Sequence, residues 1–94
     1  MADVETVSEK KVNIQSAVRA SQNFLTNMRS SIGELLDVRL EEVGLSEDES
    51  AWLITLGFIR PSSGILTEQP KREYRRFEID TLTGDLKSMK IRAV

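Results

Sequence analysis

The chain has 94 residues, 39% of them hydrophobic and 30% charged, with 13 basic against 15 acidic side chains and a formal net charge of −2. That length fills a single core, the composition is that of a folded, water-exposed domain, and the slightly acidic balance argues against bulk capture by nucleic acid or anionic lipid. The absence of cysteine and histidine excludes disulfides, thiolate chemistry, the usual zinc sites and the ordinary proton shuttle.

Residues 1–9 carry three acids and no hydrophobic periodicity, which predicts a flexible N-terminal tail followed by one domain over 10–94. The start lacks the basic and apolar regions of a secretory signal, and no apolar run is long enough to span a bilayer. A cytoplasmic protein without a membrane partner is expected.

Ile14, Ala17, Val18, Ser21, Phe24, Leu25, Met28 and Ile32 recur at spacings of three and four, the stripe of an amphipathic helix. A helix is predicted over roughly 10–30, or a shorter one capped by Asn13, with Gly33 ending it. The period then shifts toward two. Leu36, Val38 and Leu40 alternate with polar residues, and Val43 and Leu45 fall on the opposite parity, so a bent strand with a bulge near Glu41 and Glu42 is predicted. The polar loop 46–50 leads into the most apolar run, Ala51 to Ile59, which reads as a central strand. A long connection over 61–70 follows, with Ile65 and Leu66 available to tuck onto the core.

A third strand is predicted from about Arg72 to Asp80, and a fourth from Asp85 to Arg92. A bulged turn with five residues between Asp80 and Leu86, and Gly84 left-handed, pairs Ile79 with Lys87, Phe77 with Met89 and Arg75 with Ile91. Phe77, Ile79, Met89 and Ile91 then share one face, and Tyr74, Arg76, Glu78, Ser88, Lys90 and Arg92 share the water-facing one. The expected fold class is α+β: one N-terminal helix on a four-stranded antiparallel meander sheet, in two layers.

This layout, with the segment from Tyr74 to Leu86 and the Asp-x-x-Thr-Gly turn from Asp80 to Gly84, resembles the PepSY-like modules over about residues 12–92. Trp52 opening the second strand, together with the spacing from Tyr74 to Asp80, is also similar to a gas vesicle accessory family. Both resemblances imply a binding or inhibitory module without catalysis.

The acids Glu41, Glu42, Glu47, Asp48 and Glu49 lack the alternation and the glycine of a calcium loop, so a solvated hairpin loop is expected and no metal. Serines and threonines have no histidine base, and Ser88 and Lys90 share an exposed face, so no catalysis is expected. The five glycines are scattered singly, which leaves no phosphate loop and no expected cofactor.

Two features point to binding. Leu53 and Ile59 fall on the sheet face opposite Trp52, Ile54, Leu56 and Phe58, and with Val43 and Leu45 they predict an apolar patch on the open face. Around it, Arg72, Arg76, Lys90 and Arg92 form a basic rim in which Arg76 faces Lys90, an arrangement that costs energy unless an anion offsets it. Residues 34–49 hold seven acids and one arginine, while 71–92 hold seven bases and four acids. Such a dipolar surface steers a charged partner into register. The expected function is protein binding through the sheet face, as a homodimer or with another protein. The alternative is a nucleic-acid-binding regulator that uses the basic hairpin, with Tyr74 stacking on a base.

Overall fold

In the computed structural model of the protein, the described residues are 12–61 and 71–92. The expected tail over 1–9, and the expected packing of Ile65 and Leu66, lie outside them. The elements are α1 (Ile14–Asn27), a helical turn α2 (Arg29–Ile32), β1 (Leu36–Leu45), β2 (Ala51–Ile59), β3 (Arg72–Asp80) and β4 (Leu86–Ile91). The four strands form one antiparallel sheet in the order β1-β2-β3-β4, with α1 on one side. This is the expected two-layer α+β meander. No helix among the described residues is long and apolar enough to cross a membrane.

α1 takes the shorter of the two expected starts. The Asn13 side chain accepts the Ser16 amide at 2.8 Å, satisfying one of the amides that the first helical turn leaves without a partner. Ala17, Ser21 and Leu25 are buried against the sheet, and the Ser21 hydroxyl donates to the Ala17 carbonyl at 2.9 Å, so its burial strands no polar group. Gly33 ends α2 with φ +87°, donating its amide to the Arg29 carbonyl at 2.8 Å. The stretch before α1 is pinned by the Trp52 indole, which donates to the Val12 carbonyl at 2.8 Å, and by the Val12 amide, which donates to Thr81 O at 2.6 Å.

The core consists of Ala17, Leu25, Ile54, Leu56, Phe58, Phe77 and Ile79. The turn from β3 to β4 follows its chemistry. Asp80 accepts the Leu82 and Thr83 amides at 2.8 and 3.0 Å, and Gly84, at φ +80°, donates to the Asp80 carbonyl at 2.9 Å. Phe77 pairs with Met89 and Arg75 with Ile91 as expected. The expected pairing of Ile79 with Lys87 is corrected to Ile79 with Leu86, because the register shifts between Glu78 and Ile79.

The loop joining β1 to β2 is built on Asp48. One carboxylate oxygen accepts from the Ser50 hydroxyl at 2.7 Å, the Ser50 amide at 3.0 Å and the Ser46 hydroxyl at 2.8 Å. These bonds, the Ser50 hydroxyl foremost, hold the Asp48 carboxyl down to about 2. A group whose pKa is depressed by folding adds stability above its unfolded value, about 3.9, and that stability disappears as pH falls through the folded value. The melting temperature of the wild type is therefore expected to fall more steeply between about pH 4 and about pH 2 than that of Asp48→Asn, as read by circular dichroism. Equal slopes would show that the loop contributes nothing to acid stability.

Candidate functional site

The bulge in β1 decides which apolar residues share a face. The register shifts between Leu40 and Glu42, so Leu40 pairs with Leu56, Val43 with Ile54 and Leu45 with Trp52. The extra residue restores parity, and all three lie on the helix side. Val43 and Leu45, expected on the open face beside Leu53 and Ile59, are thereby corrected: Val43 is half-buried and packs against the core cluster, and Leu45 is exposed on the helix side. Leu53 and Ile59 do occupy the open face, paired with Gly44 and Leu36 on β1 and with Glu78 and Arg72 on β3, and both are half-buried.

Charges dominate the rest of that face. Arg72 donates to the Asp37 carboxylate at 2.9 Å and to the Asp37 carbonyl at 2.8 Å, with Glu41 at 3.4 Å from its second terminal nitrogen. Arg39 and Arg72 hold the Asp37 carboxyl below its usual range. Arg92 reaches from the β4 side to Glu42 on β1 at 2.7 Å, and Lys90 lies 3.3 Å from Glu78. The middle of the face carries Thr55 and Gly57 on β2. Gly57 has a steric reason: a Cβ built there would stand 2.6 Å from the Glu41 carboxylate, so the glycine lets that side chain lie against the strand. The acidic β1 and the basic β3–β4 hairpin thus satisfy one another within the molecule. Tyr74 is half-buried on β3 between the positions of Arg72 and Arg76. Arg76 stands directly opposite Lys90 with no ion pair among the described residues.

Arg75 does not belong to this basic face. It is 7% exposed on the helix side, with its guanidinium carbon 5.4 Å from the Phe58 ring centroid. It donates to Glu73 at 3.2 Å and to the Tyr74 carbonyl at 3.1 Å. Arg60 grips the same Glu73 carboxylate through two bonds, at 2.7 and 2.9 Å, and this fork, more than Arg75, holds the Glu73 carboxyl low.

Most of the exposed apolar surface lies on the helix side, although Leu36, paired with Ile59, is exposed on the open face. An α-helix is about 10 Å across, whereas strands repeat about every 4.8 Å, so one helix covers about two strands. α1 lies over β2 and β3. Val38, Leu40 and Leu45 on β1, and Leu86 and Ile91 on β4, are left exposed. Between α1 and β1 the surface dips into two adjoining hollows that share Gln22. One, of about 330 Å³, has Ile14, Val18, Leu40 and Val43 on its walls, and the other, of about 360 Å³, has Leu25, Leu35 and Val38. Among the described residues, no group of three or more acids is placed to hold a metal ion. No family model, curated protein or solved structure matches the chain.

Proposed function

We propose that the chain is a non-catalytic binding module of the cytosol that works through protein–protein contacts and pairs with a second copy of itself. The observation that carries this is the apolar groove between α1 and β1, with Leu40 46% and Val38 43% exposed along an edge strand. The edge position of β1 supports a second copy as the occupant. Arg19 and Arg29 on the groove's helical wall have no ion pair among the described residues, and the acids of β1 lie on the other face, engaged by Arg72 and Arg92. Two β1 edges meeting about a two-fold axis bury the Val38 and Leu40 of both copies, the self-complementarity that an isologous contact requires. The open face is a weaker candidate, because Arg72 and Arg92 are already engaged by acids of β1. The same engagement weakens the nucleic-acid alternative.

Light scattering at low and high salt tests the proposal. The wild type is expected to be a dimer that persists in high salt and dissociates in Leu40→Glu, while Leu53→Glu, on the opposite face, remains dimeric. Loss of the dimer in Leu53→Glu alone would move the contact to the open face. A monomer under every condition would remove self-association.

A further inference from the structure

We propose that Arg76, Lys90 and Arg92 form a binding site for a single phosphate monoester on the open face of the β3–β4 hairpin. The site is independent of the self-association groove, since it lies on the other side of the sheet.

Register builds it. Arg76 and Lys90 are directly opposed across β3 and β4, and the Arg92 amide donates to the Tyr74 carbonyl at 3.1 Å, which sets Arg92 beside them on the same face. The three residues, with Ile91 between Lys90 and Arg92 in the chain, line an open hollow of about 260 Å³. Arg76 is the anchor. Its Nε is buried without a hydrogen-bond partner, and among the described residues no carboxylate comes within 4 Å of it, although Glu78, already bridged to Lys90, attracts it from farther off. A buried guanidinium donor without an acceptor is costly, and so is a cation directly opposite another cation. Lys90 reaches Glu78 at 3.3 Å, and Arg92 reaches across β3 and β2 to Glu42 at 2.7 Å, in the same cross-strand row as Arg76; the Lys90 and Arg92 side chains are 65% and 36% exposed. Three cations against two acids leave one positive charge unmatched at the hollow.

The chemistry of the missing anion follows from the directions of the donors. A carboxylate is planar, and one guanidinium fork satisfies it. Two guanidinium groups and an ammonium carried around one hollow by two strands instead suit a tetrahedral oxyanion, whose oxygens accept from several sides. The site takes one phosphoryl group and not a polyanion track. The next arginine of this face along β3, Arg72, is closed off by Asp37 and Glu41, so no row of free cations continues from it.

Phenyl phosphate titrated into the full chain, followed by amide shifts in heteronuclear NMR at constant ionic strength, is the test. Saturable shifts centred on Arg76, Lys90 and Arg92 are expected, with millimolar affinity and with acetate binding more weakly. Arg76→Gln should weaken phenyl phosphate by about tenfold, the effect of one lost charge-assisted hydrogen bond, without lowering the melting temperature. Arg72→Gln should leave the affinity unchanged. Shifts that chloride reproduces, or an affinity indifferent to Arg76→Gln, would overturn the site. Tighter binding of a single-stranded oligonucleotide, with a salt dependence equivalent to several phosphate contacts, would replace it with an extended nucleic-acid surface.

Discussion

Phe77→Ala is expected to remove about 3–5 kcal/mol of folding stability, seen as a large drop in the urea midpoint with the dependence on urea otherwise unchanged. Phe77 is fully buried, flanked by Ile54 on β2 and Met89 on β4, at the centre of the layer that α1 covers. Truncating it discards the transfer energy of the ring and leaves a cavity that the sheet cannot close, because both flanking strands are held by backbone ladders. A domain of this size has only about 5–15 kcal/mol in total, so the variant should approach or pass the point of unfolding in plain buffer. Ile91→Ala is the control. Ile91 belongs to the same face of the sheet but is 75% exposed, and its truncation should cost less than about 0.5 kcal/mol. Comparable losses for the two would mean that the core does not lie beneath α1.

The second large effect is an asymmetry between the two partners of a half-buried ion pair. Glu73→Ala should cost about 2–3 kcal/mol, because it leaves the Arg75 guanidinium, with a side chain only 8% exposed, held by a single carbonyl and the Phe58 ring. Removing Glu73 also frees Arg60, which is on the surface and loses little. Arg75→Met, by contrast, should be nearly neutral. Glu73 keeps the Arg60 fork, and a flexible apolar side chain takes over the packing against Phe58. Thermal unfolding of the two variants side by side separates the cases. Equal destabilisation would mean that the value of the pair is mutual attraction, not relief of a buried charge.

Much of the architecture was legible because local signals agreed with one another. The three-and-four spacing from Ile14 to Ile32, the strand bounds at Ala51–Ile59 and Arg72–Asp80, the bulge near Glu41 and the Asp80–Gly84 turn all depend on contacts within a few residues. The meander order was only an assumption from short connections, because the long connection over 61–70 also allowed a crossover; the sheet order β1-β2-β3-β4 decides it. The placement of Val43 was not legible, although the bulge itself was. A bulge changes which residues share a face only relative to the partner strand, and the pairing of Val43 with Ile54 is a non-local fact.

Among the described residues, composition and periodicity by themselves determined the helix that became α1, the four strands and the lack of thiol and imidazole side chains, since each depends on residue type and spacing alone. The Leu53 and Ile59 side of β2 was assigned correctly for the same reason: strand periodicity needs no partner. Only the tertiary structure decided what the surfaces are. The charge imbalance between residues 34–49 and 71–92 is consistent with steering by an outside partner until Arg92 is seen to reach Glu42 across the sheet and Arg72 to grip Asp37. Sequence distance hides such pairs, because opposite charges attract through space and the fold sets which of them meet. The exposed apolar groove was hidden likewise. It arises from a mismatch between the width of one helix and the width of four strands, a property of the assembled layers that no single element carries.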